Sequence, residues 1–441
     1  MKKALFVILA LIPFLVFAGG GSAREAAGGP VTVTYWDMQV GSDAYPRISA
    51  EHARKIAQQH PNITINVESI PWANFNETFT TAIAARNAPD FSTGSSFQSF
   101  QFAAVGEILD IGSIIEEWRA DGTLANYRID QIEYFQFKGV QVGIPWNFEP
   151  RYILYRADWF ERDNIKVPTT WEEMYTAAVH FTNRSQGIYG IAYPTFQAQG
   201  NFIFLNWWAM NAGGVWTPDG RNLDFTNPRN EETLTFIRRL RDAGVFPEGI
   251  ASYEENNVVQ LASQDRLAMA VIVGGGQGAQ IAAAQPGFRY LPVPAGPSAN
   301  GRQGYIAAIN AIMAYSQTRH PTETKQALKW WSENMWDLWI NREARVSGIP
   351  VRNDWLAHPT FQNNLTDPYM AYYIRTDFAS TRLAISPATN VASWQTINTF
   401  NAERWWTDIS QATLLDPRSP REILQDFQAR AERVFREFGP D

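Results

Sequence analysis

The chain has 441 residues, no cysteine and a formal net charge of −7 at pH 7. Without cysteine it has no disulfides, thiolate metal sites or cysteine nucleophiles. An acidic chain is also a poor partner for nucleic acid or an anionic membrane surface. The length predicts two domains. Aromatic residues make up 14% of the chain and include 17 tryptophans, more than a core of this size ordinarily uses.

The first residues have the pattern of an export signal. Lys2 and Lys3 precede an apolar run over 4–17, and small residues follow as far as Ala23. A basic start, a short apolar segment and a small-residue exit are typical of a secretory signal peptide. The run is shorter than the roughly 20 residues that span a bilayer, although a retained anchor is the alternative. We therefore expect 1–23 to be a signal peptide and the protein, which has no cysteine for lipid attachment, to be periplasmic.

The first part of the chain alternates strands and helices. Alternating β-branched residues predict strands at 31–36 and 63–68. Helices are predicted at 43–60, before Pro61, and at about 73–87. Strand, helix, strand and helix at this spacing indicate a βαβ unit with a parallel sheet.

The same order returns after residue 150. Strands are predicted at 152–155 and 267–273, and helices at 171–183, at 230–243 and in the tail. Thr170 and Glu173 have the spacing of a capping box, as do Ser419 and Glu422 at the start of the last helix. A stretch rich in proline and glycine, 292–304, is expected to connect two lobes.

Motifs of catalysis and nucleotide binding are missing from the sequence. The five histidines never have the spacing of a zinc-hydrolase helix, and neither a Gly-x-Ser-x-Gly elbow nor a phosphate-binding loop occurs. The glycine-rich run at 274–278 lacks the dinucleotide-binding spacing, and we interpret it as a place where a ligand approaches the backbone. We expect no catalytic residue, no cofactor and no metal. Carboxylates are numerous, so a glycosidase pair remains an alternative.

The most specific blocks of the sequence are Gly143-Ile144-Pro145, Tyr155-Arg156-Ala157-Asp158 and Pro168-Thr169-Thr170-Trp171-Glu172-Glu173. They resemble the sugar-binding, maltose-binding-protein-like family of extracellular solute-binding proteins that serve ABC importers. Here Arg156-Ala157 replaces the family's usual Asn-Lys, and Glu172 its usual Asp. Shorter blocks at 88–90, 267–269 and 347–352 agree in order and spacing.

The resemblance implies an α/β fold, a two-lobed periplasmic binding protein of type II with hinge-linked parallel or mixed sheets flanked by helices. Lobe one would comprise 31–146 and 303–349, and lobe two 150–300 and 352–441. The implied partners are a mono- or oligosaccharide, bound between the lobes, and the membrane permease subunits of an ABC transporter. We expect no nucleic-acid partner and a monomer.

Ligands of α/β sheets bind beyond the carboxyl ends of the strands, and sugars need aromatic faces together with carboxylates and amides. The family places a sugar-binding carboxylate at Glu149 and a stacking ring at Trp394. Trp207 and Trp208 are adjacent, so on a helix only one can face a ligand; we favour Trp207, with core packing as the alternative. The predicted ligand-binding residues are Trp36, Asp37, Gln39, Ser95, Ser96, Phe97, Trp146, Asn147, Glu149, Phe196, Gln197, Trp207, Gly276, Gln277, Tyr305, Arg352 and Trp394.

Structural roles are the alternatives for these residues. Trp36 could pack in the core, and Asp37 could be a loop or capping residue. Trp146 could brace the hinge, and Glu149 could form an ion pair with Arg151.

The predicted function is therefore a non-catalytic periplasmic sugar receptor. A ligand that touches both lobes favours a closed form, which then docks on the permease. Three alternatives remain: a receptor for a polyamine, peptide or phosphoester; a secreted carbohydrate-active enzyme; and a surface adhesion protein.

Overall fold

The structure is a computed structural model. It describes residues 29–72, 75–196, 203–217, 222–272, 275–344, 346, 348–364, 382–383, 396, 399–400 and 403–437.

The described strands form two principal sheets and one short hairpin. In chain order they are Val31–Met38 (β1), Ile63–Ile70 (β2), Phe91–Ser95 (β3), Gln136–Phe137 (β4), Val140–Gln141 (β5), Ile144–Pro150 (β6), Tyr152–Arg156 (β7), Tyr189–Ala192 (β8), Leu267–Ile272 (β9), Phe288–Tyr290 (β10), Ile306–Ala314 (β11), Ile349–Pro350 (β12) and Arg382–Leu383 (β13).

The larger sheet is mixed. Its strand order is β12-β6-β11-β3-β1-β2, with β13 also paired to β11. β1 is parallel to β2 in continuous register from Val31 opposite Ile63 to Met38 opposite Ile70, and also parallel to β3. β11 is antiparallel to both β3 and β6. The βαβ unit predicted for the first part of the chain is confirmed, and β11 is inserted next to it from far along the sequence.

The smaller sheet has the order β10-β7-β9-β8. β8 is parallel to β9, whereas β7 is antiparallel to β9 and to β10. All six residues of β9 are buried, as its continuous apolar sequence predicts for a central strand.

Helices cover both sheets. They are Tyr45–Ala53 (α1), Phe75–Ala84 (α2), Ser96–Ala104 (α3), Gly112–Asp121 (α4), Ile129–Tyr134 (α5), Ala157–Arg162 (α6), Trp171–Phe181 (α7), Ile203–Met210 (α8), Pro228–Asp242 (α9), Glu255–Ser263 (α10), Gly275–Ala284 (α11), Pro321–Asn334 (α12), Trp336–Ile340 (α13), Asn353–Ala357 (α14), Pro359–Asn364 (α15), Trp405–Leu415 (α16) and Pro420–Glu437 (α17). The helix predicted at 43–60 is shorter: α1 ends at Ala53 and tightens into a 3₁₀ turn, Arg54–Gln58.

The helix starts that the sequence marked are capped by side chains. At α17 the capping box is reciprocal: Ser419 N donates to Glu422 Oε2 (2.9 Å), and Glu422 N donates to Ser419 Oγ (3.3 Å). At α7 only half of the predicted box forms. Glu173 N donates to Thr170 Oγ1, but the Glu173 carboxylate accepts from the backbone and hydroxyl of Thr169, each at 2.7 Å.

The chain passes between the two sheets more than once. β6 ends at Pro150 and β7 begins at Tyr152, so Arg151 alone separates strands of different sheets. The return runs over 291–305, between β10 and β11. After β12, α15 packs against α13 and α14, whereas α16 and α17 pack against α9. In the part of the chain that the structure describes, no helix is long and apolar enough to cross a membrane.

Candidate functional site

The pairing of four strands places several predicted ligand-binding residues at one level of the larger sheet. Asn310 of β11 is opposite Ser95 on one side and opposite Asn147 on the other. β1 pairs with β3 as far as Trp36 opposite Ser92, and Gln39 is the residue that follows β1, its N donating to Ile70 O (2.9 Å). We call Gln39, Ser95, Asn310 and Asn147 the strand-end row. It lies where β1 and β3 end, as expected for a ligand site in an α/β sheet.

Glu149 lies beside this row, one residue before the end of β6. Its side chain is only 12% exposed, and so is that of Arg151, whose Nη1 lies 3.5 Å from Glu149 Oε2. Asn310 Nδ2 donates to the same oxygen across 3.5 Å. The ion pair expected as a structural role for Glu149 is therefore present, and it lies at the residue that separates the two sheets.

Gly348 packs directly against this carboxylate. A Cβ built on Gly348 would lie 2.8 Å from Glu149 Cγ, 3.0 Å from Phe148 O and 3.2 Å from Asn147 Nδ2. Its φ of +87° lies in the left-handed region that favours glycine. Glycine thus allows the segment before β12 to approach the end of β6 closely.

Asp37 lies in the core, in contrast to the direct ligand contact expected from the sequence. It is 1% exposed and accepts hydrogen bonds from Tyr35 Oη (2.8 Å), Thr93 Oγ1 (3.1 Å) and Ser49 Oγ. Thr93 Oγ1 in turn accepts from Met38 N (2.8 Å). Burial raises the pKa of Asp37, and the hydroxyl hydrogen bonds oppose that rise. The carboxylate therefore joins the ends of β1 and β3.

Aromatic side chains lie on either side of the strand ends. Trp36 is half-buried; its Nε1 donates to Glu68 Oε2 (2.9 Å), and its ring meets Phe79 edge-on at 5.0 Å. Phe97 is 7% exposed and contacts Phe75. Trp146 is 1% exposed, with its ring 6.2 Å from that of Trp339.

Two residues at the start of α3 were also predicted to bind ligand. Ser95 caps this helix reciprocally with Gln98, so its hydroxyl accepts a backbone hydrogen bond. Ser96 is the first residue of α3, and its side chain lies outside the described part of the structure.

Trp207 occupies the core of the part built on the smaller sheet. It is fully buried between Tyr193 and Phe236, at ring distances of 5.4 and 6.3 Å. Trp208 is also fully buried, against Phe204 and Phe225. The core alternative thus describes both rings in this conformation. All eight residues of α8 are buried, and its sequence, apolar at every position but Asn206, was the signal for this.

Other predicted residues have these positions. Phe196 is half-buried with the guanidinium of Arg404 5.6 Å from its ring centre, and Gly276 and Gln277 lie in the first turn of α11. Tyr305 is buried and donates from its hydroxyl to Leu291 O (3.1 Å). Gln197 and Trp394 lie outside the described residues.

Arg352 is held by contacts within the protein. Its Nε and Nη2 donate to both carboxylate oxygens of Asp354 (3.0 and 2.6 Å), and its guanidinium lies 5.5 Å from the Tyr127 ring centre and 4.7 Å from that of Trp355. These contacts indicate an anchor for the chain just after β12.

Asn310 was missed by the sequence analysis although it lies at the centre of the strand-end row. It is 2% exposed, and it is the one polar residue of the nine in β11. An amide inside an apolar strand was the available signal, because buried polar side chains need hydrogen-bond partners.

Comparison with known proteins identifies the family. Residues 39–336 match the family model of the bacterial extracellular solute-binding proteins. The chain belongs to this family. Two thirds of this solute-binding protein therefore carry a pattern shared by proteins that bind solutes outside the cell and are not catalytic.

Individual relatives agree over nearly the whole length. This chain is 21% identical over 423 residues to a protein of Brucella abortus (strain 2308) that is named as a binding protein. The match covers 94% of this chain and 95% of the Brucella protein. It superposes on a sugar transporter protein of Arthrobacter chlorophenolicus with bound laminaribiose (TM-score 0.78, 23% identity, 92% and 99% covered). An ABC substrate-binding protein of Listeria monocytogenes in complex with cycloalternan gives a TM-score of 0.74 at 19% identity, with the same coverage. The fold is thus that of a two-lobed periplasmic binding protein, as predicted.

Proposed function

We propose that this solute-binding protein captures a mono- or oligosaccharide between its two lobes and delivers it, chemically unchanged, to the membrane permease of an ABC importer. The observation that carries the proposal is the strand-end row with Glu149 beside it, at the passage between the two sheets. The structural relatives that hold laminaribiose and cycloalternan support a carbohydrate as the class of ligand.

The polar groups of the site suit hydroxyl recognition. Amides such as Asn147 and Asn310 offer a donor and an acceptor on one side chain, as a sugar hydroxyl also does. Glu149 adds an acceptor with low exposure, and a hydrogen bond to a charged group contributes more than a neutral one, about 1.5–3 kcal/mol. Trp36 and Phe196, both half-buried, offer apolar faces for the C–H surface of a sugar ring.

Closure follows from the position of the site. A ligand that binds the strand-end row on one side and the lobe of the smaller sheet on the other favours the state in which both are close. The short passage at Arg151 and the longer one at 291–305 are where backbone angles would change. We further propose that residues 1–23 direct export to the periplasm and that the mature protein acts as a monomer.

Calorimetric titration with a panel of saccharides tests the proposal. At least one, with laminaribiose and maltose in the first panel, should bind; a dissociation constant of about 1 µM corresponds to about −8 kcal/mol. Glu149→Gln should weaken binding tenfold or more, whereas the control Glu116→Gln, on the exposed face of α4, should not. Absence of binding by every saccharide would contradict the proposal, as would release of cleaved product on long incubation.

A further inference from the structure

A second groove, of about 540 Å³, lies away from the strand-end row, where α1, α12, α13 and α14 meet. This volume falls within the range of roughly 300–1,000 Å³ found for small-molecule sites. None of its lining residues is among those predicted from the sequence to bind ligand. Its lining includes His52, Gln59, Trp330, Asn334, Trp336 and Trp355.

A buried imidazole without hydrogen bonds lines this groove. His52 is 3% exposed, and within the described part of the chain neither of its ring nitrogens has a hydrogen-bond partner. The ring stacks on Trp330 at 5.3 Å and meets Trp331 edge-on at the same distance. Burial lowers the pKa of His52 to about 4, with a smaller contribution from Lys55. At neutral pH the ring is therefore uncharged, with one donor and one acceptor nitrogen. Both nitrogens are shielded from solvent in this conformation, so the imidazole packs beneath the groove, and its protons report on what binds above it.

Aromatic rings and amides line the rest of the groove. Trp336 is half-buried and contacts His358 at 4.7 Å and Trp355 at 5.9 Å. Asn334 donates to Trp330 O from its amide nitrogen, which leaves the amide oxygen as an acceptor, and Gln59 is exposed. Indole faces together with amides are the combination that a hydroxylated ring with C–H faces requires.

The charges around the groove are already balanced. Lys55 Nζ pairs with Asp337 Oδ2, and Arg352 binds Asp354 through two hydrogen bonds. The third carboxylate, Glu333, accepts a hydrogen bond from Trp118 Nε1 (2.6 Å) and lies 3.9 Å from Lys329. A free ion would have to compete with these partners, whereas a neutral hydroxyl can add a hydrogen bond to them.

We propose that this groove is a second binding site, separate from the strand-end row, for a neutral polyhydroxylated molecule of one or two sugar rings. The site would combine the accessible part of Trp336, the Asn334 amide and the exposed Gln59 above the buried imidazole of His52. It does not depend on the proposed function, because none of the strand-end row takes part.

The histidine ring protons provide the readout by NMR. The chain has five histidines, of which His52 and His358 line the groove, while His60, His180 and His320 do not. Signals are assigned by single His→Gln variants, and D-glucose or maltose is added up to about 10 mM, a concentration suited to weak sites. We expect the His52 and His358 signals to shift and the other three to stay. Sorbitol, which lacks a ring face, should give a smaller shift.

Variants separate this site from the strand-end row. Trp336→Ala should abolish the response, and Gln59→Ala, an exposed change that leaves the core intact, should weaken it severalfold. Tyr175→Ala, on α7, should retain it. Glu149→Gln should also retain it, even if calorimetric binding between the lobes is lost. The proposal is overturned if neither sugar shifts His52 or His358, if the shift persists in Trp336→Ala, or if Glu149→Gln removes it, because closure of the lobes would then be its source.

Discussion

Replacing Gly348 by alanine should disturb the stability of the protein and its affinity for ligand together. The left-handed φ of +87° costs an alanine about 1–2 kcal/mol. The new Cβ would also lie 2.8 Å from Glu149 Cγ and 3.0 Å from Phe148 O, and such overpacking costs roughly another 1–3 kcal/mol. Relief of that contact moves the Glu149 and Asn147 side chains, so we expect ligand affinity to fall at least tenfold, which is about 1.4 kcal/mol.

Gly122 provides a matched control for this experiment. Its φ is +83°, and a Cβ there would meet nothing within 4 Å. Gly122→Ala, at the end of α4 and outside the passages between the sheets, should therefore show only the backbone cost, with unchanged affinity. Urea unfolding gives the two stabilities and calorimetry the two affinities. Equal losses of stability in the two variants, with full affinity in Gly348→Ala, would refute the role assigned to the contact between Gly348 and Glu149.

Three further predictions concern the strands and helices around the site. Because burial raises the pKa of Asp37, its ionisation opposes folding. The stability of the wild type relative to Asp37→Asn should therefore be greatest below the ordinary pKa of 3.8 and should decrease as pH rises above it. A pH-independent difference between the two proteins in urea unfolding would contradict this. Hydrogen bonds from Thr169 lower the pKa of Glu173 from 4.5 to about 2. The stability of the wild type relative to Glu173→Gln should therefore be constant above pH 4.5 and should fall to that of the variant as pH approaches 2. A stability difference that grows on acidification would count against the capping role. Trp207→Ala should cost about 3–5 kcal/mol of stability, as for other large buried rings, with little change in the affinity of the folded fraction. Trp36→Ala should instead lower affinity with little loss of stability. A large loss of affinity in a folded Trp207→Phe protein would show that Trp207 contacts the ligand.

The sequence predicted the local elements better than the contacts between them. β1, β2 and β9 could be found because their alternating or uniformly apolar residues match a buried strand. The insertion of β11 between β3 and β6 could not, because it joins segments more than 150 residues apart and no local pattern specifies that pairing.

The candidate site shows the same limit. Gln39 and Ser95 were predicted because they follow strands, and Asn147 because it lies at the first crossing between the lobes. The alignment of Ser95 with Asn147 appeared only when β11 brought Asn310 between them. Asp37 has the same strand-end position, yet the hydroxyls of Ser49 and Thr93 retain it in the core. A side chain's direction depends on such distant partners, which residue type and position do not disclose.

A crystal structure of the protein with a saccharide that binds in calorimetry would show directly where the ligand lies. We expect one sugar between the lobes, with hydroxyls hydrogen-bonded to Glu149 and to the strand-end row, and with an aromatic face against a sugar ring. A space between the lobes filled by the protein's own side chains, with the sugar held elsewhere, would contradict this expectation.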